Sequence, residues 1–240
     1  MHNPSNFNAF ILAAGEGRRL RPYTNDIPKP LVKLAGKPIL EHIFHRLNHA
    51  NISHVTVNGA YKKEVLKTFL DSCDFPSIYF SEEDDLLDTG LGVKRALHTM
   101  ENKPFYLCNG DAFWTDGPNE TVFERLAHMW NPETMDILLL LQPVKNMILT
   151  KGVGDYNLDK AGKAVRCLNQ DGEYMFAGVR ICNPDIFQDS PNEPFSFLQL
   201  MDAAQEKGRL YGLIHDADWH HISTPEDLER VNNALREEAA

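Results

Sequence analysis

The chain has 240 residues, 42% of them apolar and 24% charged, with a formal net charge of −10. These are globular values, and the acidic balance argues against nucleic acid or an anionic membrane as the main partner. No apolar run reaches the ~18 residues of a transmembrane helix, the N-terminus MHNPSNFNAF lacks the basic region and apolar core of a signal peptide, and Cys73, Cys108, Cys167 and Cys182 form no CxxC, so a cytoplasmic protein with reduced thiols is expected.

Residues 10–12 are a short apolar run that leads through Ala13 and Ala14 into Gly15 and Gly17. This reads as a buried strand feeding a glycine-rich loop, where backbone N–H groups can approach an anion with no Cβ in the way. Residues 18–37 then hold Arg18, Arg19, Arg21, Lys29, Lys33 and Lys37 against Asp26 alone. A chain that is acidic overall but cationic here concentrates charge for one anionic ligand, and a phosphate chain fits.

Pro38 can open a helix, and Ile39, Leu40, Ile43, Phe44 and Leu47 recur at helical spacing to about residue 50. Residues 54–60 alternate as a strand, 62–70 read as a helix and 77–81 as a strand. A second glycine loop, DTGLGV at 88–93, leads into a helix over 89–100. Residues 104–107 are an apolar strand that stops at Asn109, Gly110 and Asp111. A helix over 120–130 and a strongly apolar strand over 135–141 follow. This alternation implies a mainly parallel sheet covered on both faces.

The pattern then changes to shorter strands at 152–158, 164–168 and 175–181, with a turn at 159–162. A helix is expected over 196–207, strands at 210–215 and 219–222, and a final amphipathic helix over 224–238 behind Thr224 and Pro225. No repeat or linker interrupts the chain. The later part reads as a lid or substrate-binding half of one domain spanning 1–240, divided near 142/143.

Two common phosphate loops fail on single residues. A Walker loop needs Gly-Lys-Ser/Thr, which is missing, and a dinucleotide fingerprint needs a third glycine where Leu20 stands. What remains is Leu12, Ala13, Ala14, Gly15, Gly17, Arg19, Leu20, Pro22 and Thr24, followed by Pro28, Lys29 and Pro30. That pattern resembles the sugar-1-phosphate nucleotidyltransferase family. The likeness continues in residues 38–41, in Asn109–Gly110–Asp111, in residues 176–179 and in 219–224. The chain's length is similar to the family's short members, which lack a C-terminal β-helix. NGDAFWTD and DTGLG look most like its N-acetylmuramate-1-phosphate uridylyltransferases, which act in peptidoglycan recycling.

The resemblance implies a doubly wound, Rossmann-like nucleotidyltransferase fold with a smaller mixed sugar-binding half. It also implies a nucleoside triphosphate and a sugar 1-phosphate as substrates, Mg²⁺ as cofactor, and a monomer or homo-dimer. Arg19 would lie against the β,γ-phosphates and Lys29 at the reacting centre, with backbone amides of residues 14–17 cradling the triphosphate. Asp111 would be a metal ligand, its hard oxygen suiting Mg²⁺ on phosphates. Asn58, Glu82, Thr89 and Gly90 would face the base, and Asn109 and Gly178 the sugar phosphate. Two departures stand out. The family's late W-x-D-x-G-T is here Trp219–His220–His221–Ile222–Ser223–Thr224, with His221 in the aspartate's place. His221 as ligand or support is favoured, over Asp111 alone with water and phosphates or a displaced Asp218; Mn²⁺ would tolerate its nitrogen better than Mg²⁺. No Glu-Lys-Pro segment is present, which leaves Lys151 as the candidate cation for the sugar phosphate.

Three plainer features complete the reading. His42, His45 and His49 share one helix, but without HExxH order they read as a solvated face. The acidic run 82–85 reads as exposed. Phe123, Leu126, Ala127 and Trp130 read as core packing.

Overall fold

The apolar run at the glycine loop becomes strand β1, Asn8–Leu12, in the computed structural model, which describes residues 2–238. Ala9 and Ile11 point to one face of the sheet and Phe10 to the other, as strand alternation requires, and all three are buried. A small hairpin of β2 (Lys33–Leu34) and β3 (Lys37–Pro38) precedes helix α1 (Ile39–His49). Then come β4 (His54–Gly59), α2 (Lys63–Asp71), β5 (Ser77–Glu82), α3 (Asp88–Arg95) and β6 (Phe105–Asn109). β7 (Phe113–Trp114), α4 (Val122–Met129) and β8 (Ile137–Pro143) close the first half. A capping box starts α4: Thr121 accepts from the Glu124 N–H while the Glu124 carboxylate accepts from the Thr121 N–H. β9 (Tyr156–Leu158), β10 (Ala164–Arg166), β11 (Tyr174–Cys182), α5 (Leu198–Glu206), β12 (Leu210–Ile214), β13 (Trp219–His220) and α6 (Pro225–Glu238) follow.

The strands β5, β4, β1 and β6 lie side by side, all parallel. β11 joins β6 antiparallel, β8 pairs antiparallel with β11, and β12 runs parallel to β8. The later strands thus extend the same nine-stranded sheet. One face is covered by the apolar sides of α1, α2 and α4, the other by α3 and α5. This is the doubly wound, mainly parallel α/β sheet expected from the alternation. A third cluster seats α6, through Leu228 and Val231, against Leu20, Val32 and Leu34 of the loop and its hairpin and Ile39 of α1. The outer ends of the expected domain, residues 1 and 239–240, lie outside the described residues.

One expectation is corrected. Residues 88–93 are not a glycine loop: they are the first turns of α3, and the helix expected over 89–100 ends at Arg95 before a 3₁₀ turn at Leu97–Met100. The glycines are there for close approach. A Cβ on Gly90 would run into the Phe195 ring, and one on Gly92 would lie 2.7 Å from a Glu83 carboxylate oxygen.

Candidate functional site

Strand order reverses at β1, which has β4 on one side and β6 on the other. Open α/β sheets bind ligands in the crevice such a reversal leaves at the carboxyl ends of the strands. A cavity of about 780 Å³ opens there. It is lined by Leu12, Ala13, Ala14, Gly15, Gly17 and Arg19 from the loop, and by Lys29, Asn58, Thr89, Asn109 and Asp111.

The loop is held by its backbone. Ala13 N–H donates to Asn58 Oδ1 at 2.8 Å, and Tyr61 N–H to the Ala14 carbonyl at 3.2 Å. Gly17 has φ +59°, and its carbonyl accepts from Leu20 N–H and Thr24 Oγ1, both at 2.9 Å. A Cβ there would sit 2.9 Å from Lys29 Cβ, so only glycine lets the loop fold over the lysine. Arg18 turns back onto Glu16 at 2.5 Å. Arg19 makes no ion pair among the described residues, so its charge remains available in the cavity.

Lys29 Nζ meets Asp111 Oδ2 at 2.6 Å, joining residues 82 apart in sequence. Gly110 makes this possible: its N–H donates to the Leu12 carbonyl at 2.8 Å, and a Cβ would lie 2.7 Å from that oxygen. Burial acts to raise the Asp111 carboxyl. The Lys29 ammonium, by charge and hydrogen bond, with His221 adding, outweighs burial and holds it below the usual carboxylate range. His221 is pushed down, first by burial and then by Lys29. Its ring stacks on Trp219, with centroids 5.8 Å apart, and its backbone N–H donates to Thr150 Oγ1. His221 is not among the cavity-lining residues, whereas Ser223 is. No three His, Cys, Asp or Glu side chains among the described residues form a group that could hold a metal ion.

On the opposite wall, Asn58 Nδ2 donates to Glu83 Oε1 at 2.7 Å, and Leu87 N–H reaches Glu83 Oε2 at 3.4 Å. Glu83 is 3% exposed, which corrects the reading of residues 82–85 as an exposed acidic run. Burial pushes its pKa up. Glu82 instead meets Lys63 at 2.8 Å and is not in the cavity lining. Thr89 Oγ1 accepts from Phe197 N–H at 2.9 Å, and Gly90 N–H donates to the Phe195 carbonyl at 2.8 Å. The polar atoms expected to read a base therefore tie α3 to the segment before α5.

Gly178 has φ +78° where the pairing of β11 with β8 shifts register, and a Cβ there would lie 3.2 Å from Asn109 Cβ. Lys151 is exposed and stands outside the cavity lining. His42 turns inward to the Leu34 carbonyl at 2.8 Å while His45 and His49 are exposed, so the three do not converge. The residue the sequence reading passed over is Arg180, 3% exposed, whose Nη2 lies 3.5 Å from Asn109 Oδ1. Its signal was a single charge inside the apolar strand AGVRIC.

The sequence profile of the MobA-like NTP transferase domain matches residues 9–146. An N-acetylmuramate alpha-1-phosphate uridylyltransferase of Caulobacter vibrioides is 33% identical over 224 residues, covering 91% of this chain and 92% of that protein. A D-glycero-alpha-D-manno-heptose 1-phosphate guanylyltransferase of Aneurinibacillus thermoaerophilus is 29% identical over 236 residues, covering 95% and 98%. A UDP-glucose pyrophosphorylase solved with UDP-glucose superposes at a TM-score of 0.81 and 15% identity, over 97% of this chain and 99% of that one, which shows the shared fold.

Proposed function

Since the chain belongs to the family of MobA-like NTP transferases, we propose that it joins a sugar 1-phosphate to the nucleoside monophosphate of a triphosphate, with N-acetylmuramate 1-phosphate and UTP as the pair. The observation that carries the reaction type is the meeting of Gly17, Arg19, Lys29 and Asp111 in one cavity at the ends of β1 and β6. An oxygen of the sugar phosphate attacks the α-phosphorus, a P–O bond forms, the α–β bridging P–O bond breaks, and pyrophosphate leaves. The attacking group is already an anion, so no strong base is needed; alignment and charge neutralisation supply the rate. Arg19 would hold the departing phosphates, and Lys29 would move from Asp111 to the phosphate at the reacting centre. Backbone amides of residues 14–17 would cradle the chain.

Sugar nucleotidyltransferases generally use a divalent metal. Asp111, a partly exposed carboxylate kept ionised by Lys29, suits Mg²⁺, which is commonly held by one or two carboxylates together with substrate phosphates. His221 would support that carboxylate from behind. When bound, the ion would add positive charge against the phosphates.

The choice of pair rests on the 33% identical uridylyltransferase. The guanylyltransferase relative favours a second reading, GTP with another sugar phosphate. Pyrophosphate release over four triphosphates and several sugar 1-phosphates, with Mg²⁺ and with Mn²⁺, separates them. UTP with N-acetylmuramate 1-phosphate should give the highest kcat/KM. Triphosphate binding with no pyrophosphate under any condition would reduce the protein to a nucleotide binder.

A further inference from the structure

Arg180 is a buried cation with no counter-ion among the described residues. It stands on β11 between Leu107 and Leu139 of the flanking strands, 3% exposed. Its guanidinium is packed between the rings of Phe197 and Phe176, at 4.3 and 4.9 Å. No carboxylate among the described residues pairs with it. Nη1 faces only the Met201 sulfur at 3.7 Å, and Nε has no partner at all. The thiols of Cys108 and Cys182 cannot serve as hidden anions, because burial pushes both up to about 12. An arginine remains charged under these conditions, and an unmatched buried charge is costly to keep.

What it does reach is Asn109. A guanidinium has only donors, so the amide atom facing Arg180 Nη2 at 3.5 Å must be Oδ1. The Asn109 NH₂ group is thereby turned away from Arg180, and Asn109 lines the cavity beside Asp111. Gly178 leaves the room for this: a Cβ there would press on Asn109 Cβ and Cγ.

We propose that Arg180 is the positioning residue of the acceptor side: it fixes Asn109 with its NH₂ donor toward the cavity and lends that wall an unmatched positive charge for the acceptor's phosphate. This rests on the acceptor being a sugar 1-phosphate, as proposed above. Lys151, exposed and outside the cavity, is then not needed for that task.

The test is steady-state kinetics on Arg180→Met, Arg180→Lys and Asn109→Ala, varying each substrate in turn. Methionine keeps the apolar packing between the rings and removes the charge. Arg180→Met should raise KM for the sugar 1-phosphate at least about tenfold while KM for the triphosphate stays within about twofold. Arg180→Lys should recover most of that loss. Asn109→Ala should show the same split, and adding Arg180→Lys to it should change little more. Wild-type acceptor KM in Arg180→Met, or equal losses on both substrates, would overturn the proposal. Should Arg180→Met fail to fold, Arg180→Gln, which also removes the charge, decides by the same criterion. Absence of nucleotidyl transfer in the wild type is a separate result, which removes the reaction; calorimetric binding of the sugar 1-phosphate to wild type and Arg180→Met then decides on Arg180 alone.

Discussion

On the loop wall of the cavity, Arg18, Arg19 and Lys29 come from one stretch of chain, and two of the three are paired, with Glu16 and with Asp111. Behind the strand wall, where Asn109 lines the cavity, Arg180 is held between two phenylalanines with its Nε unpartnered. Charges massed at a partly solvated loop cost little to hold, because water and nearby carboxylates screen them. One unmatched charge inside the sheet is expensive, and its cost falls only when an anion or an oriented dipole answers it. The first wall can be rich and forgiving; the second must be sparse and well placed.

The largest expected effect lies on the loop wall. Arg19→Ala or Lys29→Ala should keep the fold and lower pyrophosphate release by about two orders of magnitude or more. Near-normal turnover in both variants would leave the loop wall without a role. Next is the tie between α3 and the segment before α5. Gly90→Ala places a methyl group against Phe195 and should cost about 1–3 kcal/mol in urea unfolding. An unchanged midpoint would mean that α3 and the segment before α5 are not held together there.

Asn58→Ala strips partners from both the Ala13 N–H and the buried Glu83 carboxyl, and should cost about 1–3 kcal/mol. Glu83 also gives a signed pH test. Burial raises its folded-state pKa above the unfolded value, so the native state binds more protons between the two. Its contribution to stability therefore falls as pH rises through that window, upward from the ordinary glutamate range. Glu83→Gln lacks this slope. The stability of the variant relative to wild type should increase with pH across the window, read from urea midpoints; a flat difference would contradict the assignment. The smallest effect belongs to Lys151→Ala, which should alter acceptor KM by no more than about twofold and stability by about 0.5 kcal/mol or less. A large acceptor effect there would shift the sugar-phosphate cation from Arg180 to Lys151.

The same contrast explains what could be read from sequence. β1, α1, β4 and β6 announce themselves because apolar period and length agree locally, and the loop shows because its glycines and cations are neighbours. DTGLG misled because a glycine pair signals a loop far more often than a helix pressed against a ring; Phe195, more than a hundred residues away, supplies the missing reason. Glu83 was hidden in a run of four acids, of which this one alone turns into the core. Arg180 carried its signal in plain view, a charge in an otherwise apolar strand, but beyond Phe176 of its own strand its neighbours Phe197 and Asn109 come from other segments. Pairing across distant segments is what sequence spacing cannot supply.

The seat of α6 on the loop has a consequence for how the protein is made. The hairpin after the loop is stapled by Asn232, whose Oδ1 accepts from Ala35 N–H across 197 residues, and Tyr23 bonds Glu229 in the same way. Chains emerge from the ribosome N-terminus first, and early segments begin to fold before late ones exist. The loop is synthesised well before its outer support, since Ala35 and Asn232 are 197 residues apart. A nascent chain stalled before residue 225 should carry an assembled β1–β4–β5 core and a loop still unbraced by α6, so affinity for a triphosphate should be gained only once α6 has been made.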